Sequence, residues 1–169
     1  IRLLGSQQPH FPPSLMADSI RYKCIDGLKD VLETIDGTGS FNNTVQLVTT
    51  SVVSPVHTVE RPLIIIHPTR ESYPEPMYTG VLPRQLFCGL ECWIEVAPGD
   101  NTAQKVSLWL ADIERAINGD TSLGSNAIDT TLTSNETYSS EEALPAVGVL
   151  VEVEISYRTA FDDPDSNPI

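Results

Sequence analysis

The sequence predicts an α+β fold, a mainly antiparallel β-sheet with two helices packed on one face. Two observations lead there. Two segments carry apolar residues at three- and four-residue steps, and several others alternate or run apolar over strand lengths. Their order is helix, two or three strands, helix, a weak strand and a long strand, with no internal repeat and no second core.

The first helix starts at Ser19. Ile20, Cys24, Leu28, Leu32 and Ile35 fall on one stripe, Asp18 or Ser19 caps the start, and Gly37 marks the end. "DGTGSFNNT" (36–44) is then a C-cap and turn: no strand precedes its glycines and no Lys follows, so it is no phosphate cradle. Val45 to Val53, rich in Val and Thr, reads as a strand closed by Pro55. "RPLIIIHP" is a second, apolar on consecutive positions and so expected to be covered on both faces. Residues 68–83, punctuated by four prolines and a glycine, read as a long exposed loop or extended hairpin.

In "RQLFCGLECWIEVA", Leu86, Cys88, Leu90, Cys92, Ile94 and Val96 share one face, expected to be core. Phe87, Glu91, Trp93 and Glu95 share the other, a mixture suited to partial cover by another subunit. The second helix is "PGDNTAQKVSLWLADIERAING". Its expected stripe is Ala103, Val106, Leu110, Ile113 and Ile117, with Asp100 or Asn101 as cap and Gly119 as stop, and Trp109 packs beside the stripe. A weak strand follows at Ile128 to Leu132. The long last strand places Val147, Val149, Val151, Val153, Ile155 and Tyr157 on one face.

The ends read differently. Residues 1–15 lack a period and carry three prolines; they are expected to form an extended N-terminal arm, with Met16 as a natural start. The single domain is expected at 16–161, and 162–169 as an acidic, solvated C-terminal tail.

The chain has 169 residues, with 23 acidic side chains against 10 basic ones and a net charge of −13. That balance argues against clamping nucleic acid, where affinity comes from neutralising phosphates with Lys and Arg. The longest apolar run, Leu63 to Ile66, is far short of the roughly 20 residues of a membrane span. The first residues offer only Arg2 and no signal-peptide core. Cys88 and Cys92 lie about 13 Å apart on a strand, at ~3.3 Å per residue, too far for a disulfide. Buried, reduced thiols are expected.

No catalytic motif is found. His10, His57 and His67 are scattered, no G-x-S-x-G elbow occurs, and Asp162, Asp163 and Asp165 lack calcium-loop spacing. The sequons at Asn42 and Asn135 are chance matches. No enzyme activity, metal or cofactor is expected.

Four stretches carry a resemblance. "MADSIRYKCIDGLKDVLETI", "VERPLIIIHP", "WLADIERAI" and "VLVEVEISYRTAFDDPD" stand where the tail terminator family of long-tailed bacteriophages has its first helix, early strand, middle helix and closing strand. The likeness spans roughly residues 16–165. It implies a structural virion protein, assembled in the host cytoplasm, whose homohexameric ring caps the tail tube and joins it to the head–tail connector. DNA would cross the lumen without specific binding, and no membrane is involved. On that reading, some of Glu91, Glu95, Glu152 and Glu154 line the lumen or a subunit seam, where their charge repels phosphate. The 68–83 segment, with Arg70, Glu71, Tyr73 and Tyr78, is expected to contact the tube or the next subunit, together with Phe87 and Trp93. The alternatives are another neck, stopper or tube ring protein, or a soluble ligand-binding α+β domain.

Overall fold

The computed structural model describes residues 18–50, 61–75, 80–139, 146–163 and 165–167. It has the expected α+β architecture: a five-stranded sheet with two helices on one side. The elements are α1 (Ile20–Glu33), β1 (Leu47–Thr49), β2 (Leu63–Ser72), β3 (Val81–Glu95), α2 (Thr102–Gly119), β4 (Asp129–Ser139) and β5 (Ala146–Ala160). The strand order is β1-β2-β3-β5-β4, antiparallel except for β1 beside β2. The expected arm at 1–15 lies outside the described residues.

Both helices are set by caps and an apolar stripe. The Ser19 side chain accepts the Tyr22 N–H, and all five expected stripe residues of α1 are buried. Asn101 caps α2, while Asp100 pairs with Lys105. The buried side of α2 is Val106, Trp109, Asp112, Ile113, Ala116 and Ile117, rotated from the expected stripe. Ala103 is exposed and Leu110 half-buried, because the bulk of Trp109 takes the place on the core side.

The strands differ from expectation in length. Of the 45–53 segment only Leu47–Thr49 pairs within the described residues, and Val52 and Val53 fall outside them. β2 does not stop at Pro68. Proline has no N–H to give the ladder, and the register shifts there, with Arg70 taking up pairing opposite Phe87. Of the two readings of 68–83, a long loop or an extended hairpin, the strands fit the hairpin, with β2 running to Ser72 and β3 starting at Val81. β4 is eleven residues long, not a short patch; its Thr, Ser and Asn content hides it, since an edge strand needs little apolar alternation.

β3 and β5 pair along fifteen residues and form the sheet's centre. Their core faces, Leu86 to Ile94 and Val147 to Tyr157, fall as the alternation predicts, and all are buried. Leu63, Ile64, Ile65 and Ile66 are buried too, so this end of β2 is covered on both sides as expected. Cys24, Cys88 and Cys92 are buried free thiols in the core cluster, and burial pushes each up to about 12. After β5 the chain does not simply leave into solvent. Ala160 N–H donates to the Ser166 carbonyl and Asp163 accepts the Asp165 N–H, folding the start of the tail back on the strand end.

Candidate interaction surface

Strand alternation decides which side of the sheet each predicted residue occupies. Odd positions of β3 and even positions of β5 face away from the helices. This side therefore carries Phe87, Glu91, Trp93 and Glu95 from β3, and Leu150, Glu152 and Glu154 from β5. From β2 it takes His67 before the bulge and Arg70 after it. Leu63 and Ile65, opposite Trp93 and Glu91, share this side and are buried. No described helix packs over it; α1 and α2 both lie on the other side.

The carboxylates here are held in place by their neighbours. Glu91 accepts the Trp93 indole N–H at 2.9 Å and faces His67 Nε2 at 3.0 Å. Glu154 accepts from Gln85 at 2.9 Å, and Gln85 in turn accepts from the Ser72 hydroxyl. Glu152 accepts from Ser134 at 3.2 Å and Thr133 at 3.4 Å, both on β4. Glu95 ends the row and is exposed. The Arg70 guanidinium stacks 4.1 Å over the Phe87 ring. The result is an ordered polar sheet face with acidic groups in excess and aromatic rings among them.

The six residues expected to form one contact region are divided by the bulge. Arg70, Phe87 and Trp93 lie on the helix-free side. Glu71 lies on the helix side, where it accepts the Tyr157 hydroxyl and approaches Arg21 Nε at 3.6 Å. Burial, then the Glu71 carboxylate, pushes the Tyr157 phenol far above its usual value. Tyr73 is 64% exposed near the hairpin end, donating to Glu71 at 3.3 Å. Tyr78 is outside the described residues.

Sequence reading missed Asp112. It is fully buried, and Asn42 and Asn43 aim two backbone and two side-chain N–H groups at it, over 2.7–3.1 Å. Arg115 adds a contact at 2.6 Å. Burial alone would raise this carboxyl, but the four Asn42 and Asn43 donors outweigh it and hold it below the usual range. The site clamps the 36–44 loop to α2, and the Asn42 sequon amide is one of its donors. The signal was present: Asp112 sits three residues after Trp109 and beside Ile113, so it interrupts a helix's apolar side.

Among the described residues, no three of His, Cys, Asp and Glu converge on a point fit for a metal ion, and no helix is long and apolar enough to cross a membrane. No protein-family model matches the chain, and no curated protein matches it.

Proposed function

We propose that the chain is a ring-forming tail terminator: a structural protein that caps a phage tail tube and joins it to the head connector, without catalysis. The observation that carries this reading is the helix-free side of the sheet. A solvent face would need no fixed geometry, yet here three glutamates are oriented by Trp93, Gln85, Ser134 and Thr133 beside stacked Arg70 and Phe87. Such a face suits a ring wall, where carboxylates turned to the lumen repel passing phosphate and aromatic rings take up subunit contact. The order of elements supports it as well, with an amphipathic helix first, a long hairpin, a middle helix and a long closing strand.

The nearest rival is a tube or stopper ring protein. The long polar edge β4 and the edge of β2 beyond Ile65, unpaired among the described residues, are surfaces that a polymerising subunit also needs. Electron microscopy of the purified chain separates the readings: a terminator stops at discrete sixfold rings, a tube protein gives filaments, and a ligand-binding domain stays monomeric. Monomers at all concentrations overturn the ring reading. If rings form, Glu152→Lys with Glu154→Lys is expected to slow DNA release from assembled particles, and unchanged release rejects the lumen position.

A further inference from the structure

On the helix side, beyond the first turn of α1, a cleft of about 220 Å³ opens between α1 and the hairpin. Ser19, Arg21, Glu71, Tyr73, Arg84 and Tyr157 line it, with Thr159. We propose that this cleft binds a carboxylate group between Arg84 and Arg21, at the N-terminus of α1.

Four observations carry the proposal. Arg84 has no carboxylate partner among the described residues; its guanidinium only stacks on the Tyr73 ring, 4.4 Å from the centroid. In a chain with 23 acidic side chains against 10 basic ones, a half-buried arginine without an acid is unexpected. Arg21 meets Glu71 at 3.6 Å from Nε, beyond hydrogen-bond range, and its guanidinium makes no side-chain hydrogen bond among the described residues. Glu71 brings one negative charge against two guanidiniums, and its oxygens also accept the Tyr157 and Tyr73 hydroxyls.

Thr159 is the independent sign of a ligand. It lines the cleft, is 4% exposed, and its hydroxyl has no hydrogen-bond partner among the described residues. A buried hydroxyl left unmatched is costly, and an acceptor seated in the cleft that this residue lines would relieve that cost. The α1 terminus adds its positive end, and no acidic residue stands in its first turn.

The chemistry selects a carboxylate over a phosphate. Two arginines and one glutamate leave a single positive charge, which a monoanion balances and a dianion overshoots. Planar guanidinium forks also match a planar carboxylate. The group has two possible sources: an Asp or Glu of a second copy of this chain, or a small free carboxylic acid. The site does not depend on the ring reading.

Titration of the full-length chain with acetate at low chloride, followed by amide NMR, tests the site. Saturable shifts are expected at Ser19–Tyr22 and around Thr159. Arg84→Gln should weaken acetate roughly tenfold and Thr159→Val by a few-fold; Arg158→Gln, exposed and outside the cleft, should change nothing. Circular dichroism checks folding, and Arg21→Gln gives a second reading should Arg84→Gln unfold. Shifts that stay linear in acetate, or that match in wild type and both arginine variants, overturn the proposal. Sedimentation across concentration assigns the source. Self-association that acetate reverses and Arg84→Gln weakens places a second copy's carboxylate in the cleft; a monomer that still binds acetate saturably places a small acid there.

Discussion

The two sides of the sheet are built from alternate residues of the same strands, yet they solve different problems. On β5, Val149, Val151, Val153, Ile155 and Tyr157 are sealed beneath the helices, while Leu150 is 40% exposed and Glu152 and Glu154 are half-buried. The covered side gains its stability from apolar area removed from water, at about 25 cal/mol per Å². The other side gains less that way, chiefly at Leu63 and Ile65; elsewhere its groups hold one another through hydrogen bonds that compete with water. What differs between the sides is tolerance. A packed interior transmits any loss of volume, whereas a half-wet polar face absorbs substitution and leaves its specific geometry to serve contacts beyond the chain.

The contrast is sharpest for a substitution that creates a hole on the covered side. Ile155 is fully buried opposite Leu86 and beside Thr130. Ile155→Ala should destabilise the chain by about 2–5 kcal/mol, read as a lowered midpoint in urea with an unchanged slope. A loss below about 1 kcal/mol would mean that the helices do not seal this side.

Carboxylates extend the comparison. Asp112 is the one buried carboxylate among the described residues, and it draws four N–H donors from Asn42 and Asn43 plus Arg115. Asp112→Asn turns an amide toward those donors and should cost about 2–3 kcal/mol. The sign of the pH dependence follows from the lowered carboxyl. Its folded value lies below the unfolded one of roughly 3.9, so its contribution is complete above that pH and disappears as pH falls through the folded value. The stability gap between wild type and Asp112→Asn should therefore be constant near neutrality and shrink below about pH 4. A gap that grows on acidification would contradict the hydrogen-bonded, ionised state.

How much of this was legible depended on whether one residue's environment followed from its own strand or helix. The stripe of α1 and both faces of β3 and β5 follow from periodicity, and they stand where the sequence places them. Asp112 was not legible, because its partners lie some seventy positions away in the 36–44 loop. Gly27 is a similar case. It sits mid-helix, where glycine costs roughly 1 kcal/mol relative to alanine, because a Cβ there would meet the Leu123 carbonyl oxygen at 2.7 Å. Leu123 itself is fully buried with φ of +51°, so a long-range close approach overrides local preference at both positions. The division of the hairpin was hidden by Pro68. Without the register shift that follows it, Glu71 and Arg70 would exchange sides, and the cleft beside Tyr157 would lose its acid.

The smallest effect is the most informative about the helix-free side. Glu154 accepts one hydrogen bond from Gln85 and sits opposite Phe87 and Thr131. Glu154→Gln keeps the shape and an acceptor oxygen while removing charge, so stability should change by no more than about 0.5 kcal/mol. An open polar face tolerates that exchange; a face whose stability depends on ionised carboxylates does not. A loss above 1.5 kcal/mol in the isolated chain would make Glu154 part of the fold's own support, like Asp112. A neutral result leaves its fixed orientation without a use inside one copy. The orientation then has to be explained by what the face meets: a neighbouring subunit, or polyanion passing a lumen.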